Sequence, residues 1–292
     1  MVLIEDILIY GAITGAVYAL LALGFTLIYG VAEILNMSHG VLYMLGAYMF
    51  VAFSAEFFQL PLLPSSIIAV IFVGFVGVAI YGLIHQVIEE TLAVLVVTLG
   101  ATLVVQQLIR MPWSFGGSHV AVPSLLEGYI TFLGATILYD QILAFVLALG
   151  LFVVVWIFIA RSKIGGAMRA VAQDREAAML MGINTERLYI ITMFISATLA
   201  AIAGLLIARP VIHPRTWETP LVMSFAIVVL GGLGSIKGSF VGAFIVGYAE
   251  IAVIYLIPNG EYLRGAVALA VMVVVLIFRP AGLFGKRMEI EE

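Results

Sequence analysis

Apolar runs of membrane length, separated by short polar links, set the pattern of this chain. They cover residues 7–32, 34–58, 62–85, 91–109, 141–160, 188–208, 219–236, 238–257 and 263–278. At a rise of about 1.5 Å per residue, roughly twenty residues of helix cross a hydrocarbon core about 30 Å thick. The pattern therefore predicts an all-α polytopic membrane protein with about nine transmembrane segments. One run, 219–236, is cut short by Gly231-Gly232-Leu233-Gly234-Ser235 and could be re-entrant. No soluble block is long enough to bury a core of its own, so residues 1–292 are expected to form a single transmembrane domain.

The long hydrophilic exception is Arg161 to Arg187. It holds Arg161, Lys163, Arg169, Arg175 and Arg187, five of the thirteen Lys and Arg residues. Lys and Arg resist translocation, so this loop is placed in the cytoplasm. Counting helices outward puts 86–90, Lys237 and the tail inside, and the N-terminus, 110–140 and 209–218 outside. The basic tail residues Lys286 and Arg287 agree, giving N-out and C-in.

The loop itself has helical signals. Residues 167–172 follow the Gly165-Gly166 pair, which reads as a break, and are good helix formers. Asp174 is placed to cap a second short helix, Glu176 suits its first turn, and Gly182 is placed to stop it. Met179, Leu180, Met181 and Ile183 are more apolar than a free loop needs. Two readings stand: a helix laid into a partner's groove, or residues packed on the protein's own inner surface.

Composition narrows the chemistry. The 292 residues are 64% hydrophobic and 10% charged, against about 25% charged for a soluble domain. With no cysteine there is no disulfide or thiolate metal site, and His39, His85, His119 and His213 lack metal-ligand spacing. The net charge of −4 argues against a nucleic-acid partner. The start lacks the basic region of a cleaved signal peptide, so the first helix is expected to stay. Gly231–Ser239 resembles a phosphate loop superficially, but Gly-Lys-Ser is not contiguous and both flanks are membrane runs. Any ATP is therefore expected on another subunit.

Polar groups inside membrane runs are the candidate functional residues. Asn36, Ser38 and His39 interrupt the second run; they either line a substrate path or cap a helix at the inner boundary. Gln106 and Gln107, and Thr98 and Thr102 one turn apart, suit interhelical hydrogen bonds, with Gln106 kept as a path candidate. Glu250 lies well inside its run, where a carboxylate costs about 2.5–3.5 kcal/mol, so it should face the interior. It could pair with a base, be protonated or contact solute. Small residues at Gly11, Gly15 and Ala19, and at Gly238, Gly242 and Gly247, suit close helix packing.

Together the motifs resemble a known family. Glu176-Ala177-Ala178, three spacers and Gly182 resemble the EAA-type loop through which ABC importer permeases couple to their ATPases. Residues 169–178 with Gly182-Ile183-Asn184 are similar to the Liv-type branched-chain amino acid permeases, in particular the H-type subunit. So are Tyr18-Ala19-Leu20, Thr26–Gly30, Asn36–Gly40 with Gly46-Ala47-Tyr48, Gly231–Ser235 and Arg279-Pro280 through Gly285. Met37-Ser38 replaces the family's usual Phe-Ala. The resemblance implies a type-II importer fold and no enzymatic activity in this chain. It also implies two cytoplasmic ATP-binding subunits carrying ATP and magnesium, a second permease (homologous or identical), and an external solute-binding protein. Coupling would fall to Arg169, Asp174, Arg175, Glu176, Ala177, Ala178, Met179, Leu180 and Gly182. The competing readings are a permease of the same family for urea or another small solute, an ion-coupled transporter using Glu250, and a membrane scaffold.

Overall fold

The computed structural model describes residues 2–111, 114–115, 119–132, 134–206 and 211–285. The side chains of Val2, Leu3 and Glu56 are outside the description. So are Pro112, Trp113, Gly116, Gly117, Arg209 and the tail pair Lys286-Arg287, on which some of the sequence expectations rest.

Among the described residues, nine apolar helices follow the nine runs: α1 (Val2–Ala32), α2 (His39–Val51), α3 (Leu62–Ile84), α4 (Thr91–Arg110), α5 (Tyr139–Arg161), α8 (Thr185–Leu206), α9 (Glu218–Gly231), α10 (Ile236–Leu256) and α11 (Arg264–Phe278). Between α5 and α8 lie the short helices α6 (Lys163–Val171) and α7 (Arg175–Leu180). Seven helices are long and apolar enough to cross a membrane; α2, with the π-turn that extends it, and α9 are shorter. Segment 110–140 is not wholly irregular. It holds β1 (Val120–Ala121), β2 (Tyr129–Phe132) and β3 (Ala135–Leu138). The hairpin β2–β3 pairs Tyr129 with Leu138, and β1 pairs Val120 with Ile212 of β4 (Val211–Ile212).

Two ends of the bundle can be told apart. At one, His85 after α3 lies 3.5 Å from Glu186 of α8, and the Arg175 guanidinium sits 5.8 Å from the centre of the Tyr189 ring. Gly30 in the last turn of α1 abuts Gly234 in the α9–α10 turn. Leu283 N and Phe284 N donate to the carbonyls of Leu230 and Gly231, which brings the described tail to the same end. At the other end, Tyr10 OH donates to Thr136 O of the hairpin, and the Tyr10 and Tyr255 rings stack at 6.1 Å. The basic residues of 161–187 mark the first end as the cytoplasmic one by the positive-inside rule.

Glycine sets the closest helix approach. On Gly247 of α10 an added Cβ would lie 2.7 Å from Cα and N of Gly15, so α1 and α10 pack backbone to backbone. Nearer the cytoplasmic end of the same pair, Thr26 Oγ1 and Ser239 Oγ share a hydrogen bond of 2.5 Å. The small-residue spacing read from Gly11, Gly15 and Gly247 is thus the seam of two long helices.

Candidate functional site

Segment 161–187 is ordered by local caps. Ser162 Oγ accepts from Gly165 N at 2.9 Å and starts α6 earlier than the Gly165-Gly166 pair suggested. These glycines lie inside α6. At Gly165 a Cβ would collide with the backbone of Ile159, so the glycine allows the chain to fold tightly back on the end of α5. The Arg169 guanidinium donates to Ile159 O, a basic group on the last carbonyls of a helix. Asp174 Oδ1 caps α7 by accepting from Ala177 N at 2.9 Å. Gly182 ends it: its φ is +84°, its N–H donates to Met179 O, and Ile183 N donates to Ala178 O. Open space surrounds the position of a Gly182 Cβ, so conformation, not crowding, requires glycine there. Asn184 Oδ1 then accepts from Arg187 N at 2.9 Å and caps α8.

This frame sorts the coupling candidates. Arg169 and Arg175 fold back onto the protein, Asp174 is a cap, and Ala178 is buried. Glu176, Ala177 and Met179 face outward, and Leu180 and Met181 are 88% and 84% exposed. Within the apolar patch, Ile183 packs partly against the protein's own core, as the buried Ala178 beside it does, whereas Met179, Leu180 and Met181 are exposed.

The second polar element lies deep in the protein. Glu33, with φ +56°, ends α1 and turns the chain back into the bundle. Residues 33–38 are non-helical, and α2 starts only at His39. His39 Nε2 donates to Leu21 O at 2.9 Å. Leu21 lies eleven residues from the end of α1, about 16 Å from that end, near the middle of a core about 30 Å thick. Asn36, Ser38 and His39 are thus at mid-depth, which corrects the reading that places them as a cap at the inner boundary. Asn36 Oδ1 accepts from Ser38 N at 3.0 Å and Ser38 Oγ at 2.5 Å, while its amide reaches Met193 Sδ at 3.7 Å. Met37 is strapped to α4: its N–H donates to Thr98 Oγ1, and Thr102 Oγ1 donates to its carbonyl. His39 Nδ1 and Ser196 Oγ are buried and have no hydrogen-bond partner among the described residues. Non-helical backbone at this depth is stable only because protein surrounds it and supplies such partners.

Around this tip the helices touch closely. A Cβ on Gly46 of α2 would lie 2.6 Å from Ala201 O, and Gly204 of α8 meets the Tyr43 carbonyl. Gly40 meets the Trp217 carbonyl at the start of α9. Gln106 Oε1 accepts from Trp217 Nε1 at 2.7 Å, the interhelical role that the sequence allowed.

Glu250 is 2% exposed and does not stand alone. Its Oε2 accepts from Tyr18 OH at 2.6 Å, and Arg264 Nε lies 3.4 Å from its Oε1. Sequence reasoning missed Arg264. Glu250 lies six residues from the end of α10, about 9 Å below it. A counter-charge therefore had to come from a link at the outer end, where Arg264 opens the last run.

The described residues thus form a helical membrane bundle with a capped short helix at one face and a helix tip at mid-depth. The chain belongs to the family described as branched-chain amino acid transport system / permease component, which matches residues 7–276. It is 32% identical over 303 residues to the high-affinity branched-chain amino acid transport system permease protein BraD of Pseudomonas aeruginosa, covering 98% of this chain and 96% of that one. It is 32% identical over 301 residues to the corresponding LivH protein of Escherichia coli K12, covering 97% and 95%. The ribose import permease protein RbsC of Haemophilus influenzae is 26% identical over 273 residues, with 89% and 81% covered. Among solved structures, PsaBC from Streptococcus pneumoniae in complex with Fab shares the fold, with a TM-score of 0.55, 12% identity and coverage of 95% and 94%. The chain is an ABC-type importer permease subunit and a multi-pass protein of the prokaryotic plasma (inner) membrane.

Proposed function

We propose that this chain forms half of an import path for branched-chain or similar small amino acids, driven by ATP on cytoplasmic partner subunits. The observation that carries the proposal is α7, capped at both ends and presenting Leu180 and Met181 to the cytoplasmic side. Two ATP-binding subunits holding ATP and magnesium, a second permease copy or homologue, and an external binding protein complete the assembly. This chain itself binds no cofactor and catalyses no reaction. The solute class follows the names of the full-length relatives, BraD and LivH.

Force on α7 has a short route to the path. The Gly182 stop and the Asn184 cap join α7 to α8 without slack. Met193 of α8 touches Asn36, and Ser196 O lies beside Gly24 and the His39 ring. A tilt of α8 would therefore shift the tip formed by Asn36, Ser38 and His39. Such helix shifts are a common way for packed bundles to switch between two arrangements. Residues 110–140 and 209–218, joined by the β1–β4 pair, would receive the binding protein at the outer face. An ion-coupled mechanism through Glu250 is disfavoured, because Arg264 supplies a counter-charge to the carboxylate.

The test is uptake of labelled L-leucine in cells expressing the complete system. Loss of uptake on ATP depletion at a maintained ion gradient is the expected result. Uptake that persists without ATP and collapses with the gradient would overturn the reading in favour of secondary transport.

A further inference from the structure

At the outer end of the bundle, α1, α5, α10 and the start of α11 enclose a cavity of about 370 Å³, closed on one side by residues 122–125. This is at the lower end of the roughly 300–1,000 Å³ typical of small-molecule sites. Its wall combines two kinds of surface. Glu250, Asp140 and Arg264 bring charges of both signs, with Tyr18 beside them. Ile13, Val17, Phe50, Leu143 and Leu205 make much of the remainder apolar.

Glu250 is fixed by the Tyr18 hydroxyl at 2.6 Å, but Arg264 Nε stays 3.4 Å from Glu250 Oε1 and donates no hydrogen bond among the described residues. A charge-assisted N–H to carboxylate bond closes to about 2.7–2.9 Å. Asp140 Oδ1 accepts from Leu126 N at 2.8 Å, which ties the 122–126 segment to the same wall. Arg264, Glu250 and Asp140 thus meet on one wall of the cavity.

We propose that this cavity is a transient site for a zwitterionic aliphatic amino acid, with its carboxylate on Arg264, its ammonium on Glu250 and its side chain on the apolar wall. The proposal rests on the amino-acid import reading and adds a solute site within a single permease subunit. A lone anion would meet two carboxylates, and a lone cation would meet the guanidinium. A molecule carrying both charges at one end and an aliphatic group at the other matches the whole lining. Passage through this site would give the permease a selectivity of its own, separate from that of the binding protein.

The experiment uses the full chain with its ATP-binding subunits in nanodiscs, without binding protein. Labelled L-leucine is the probe, and all twenty standard L-amino acids are also screened by thermal shift. Saturable binding is expected for aliphatic amino acids, with no competition from leucinamide or 4-methylpentanoate, each lacking one charge. Arg264→Gln and Glu250→Gln should each weaken it about tenfold or more, since each leaves a buried charge without its counter-charge. Thr14→Phe, which fills the cavity without removing a charge, should also abolish it and guards against misfolding of the charge variants. No binding by any amino acid, or binding unchanged in Thr14→Phe, would overturn the proposal. Co-purification of a zwitterionic phospholipid that leucine does not displace would overturn it as well. ATP-dependent uptake in the complete system, measured alongside, separates this outcome from failure of the importer reading.

Discussion

Replacing both Leu180 and Met181 by Ser should separate assembly from folding. The two side chains are 88% and 84% exposed in the isolated chain. Exposed substitutions of this kind change stability by only about 0.5 kcal/mol. If α7 seats in a groove of an ATP-binding subunit, both side chains become buried there. Full burial of a Leu or Met side chain is worth about 1.5–3 kcal/mol, so the pair contributes about 3–5 kcal/mol before ordering costs are subtracted. A loss of about 2–4 kcal/mol corresponds to roughly 30- to 1,000-fold weaker association. Titration of purified ATP-binding subunit onto the permease in nanodiscs reads this directly, and thermal unfolding of the permease alone is the control. Association within about threefold of the parent protein would refute the placement of α7 in a groove. An equal fall in thermal stability would show instead that the two side chains support the permease fold.

Four further outcomes follow from the geometry. Asp174→Ala removes the cap of α7 and should cost about 0.5–2 kcal/mol of local helix stability; faster amide hydrogen exchange over 175–181, with α8 unchanged, would show it. Gly182→Val forces a β-branched residue to φ +84° and should reduce uptake strongly while leaving membrane insertion intact; normal uptake would count against rigid coupling. Gly247→Ala places a Cβ 2.7 Å from the backbone of Gly15 and should destabilise by about 1–3 kcal/mol, whereas Gly150→Ala, which meets open space, should be neutral or slightly stabilising in the same unfolding assay. Thr98→Val with Thr102→Val removes the hydrogen bonds that strap Met37, leaving its N–H and C=O unpaired at mid-depth; uptake should fall with assembly unaffected, as measured by transport and subunit capture in parallel.

Much of the fold is legible in the sequence because lipid simplifies the problem. Backbone polar groups in hydrocarbon must be satisfied within a helix, so apolar runs translate directly into helices. The caps at Asp174 and Gly182 are equally legible, since both are local effects of one side chain or one φ angle. The misplaced features are those set by tertiary contacts. The interruption of the second run at Asn36, Ser38 and His39 is visible in the sequence, but not that Glu33 turns the chain or that Thr98 and Thr102 hold Met37 outside the helix. Nothing local to residues 34–38 announces a partner sixty residues away. Gly165 and Gly166 look like a break, yet both lie within a helix, and Gly165 allows a close approach to Ile159. The strands at 120–121 and 211–212 arise from pairing across the chain, which periodicity over so few residues does not show. Glu250 is recognisable as an interior carboxylate, whereas its partners Tyr18 and Arg264 become apparent only once α1, α10 and α11 are side by side.

The most direct test of the central claim uses the absence of cysteine from the chain. Single cysteines at Met181, just after α7, and Tyr129 in the β2–β3 hairpin would be probed in whole cells with a membrane-impermeant thiol reagent, then in a crosslinking step with the ATP-binding subunits present. Tyr129→Cys should be labelled in intact cells. Met181→Cys should be labelled only after permeabilisation and should crosslink to an ATP-binding subunit. Labelling of Met181→Cys from outside, or its failure to crosslink in a system that still transports, would contradict the assignment of α7 as the cytoplasmic coupling element.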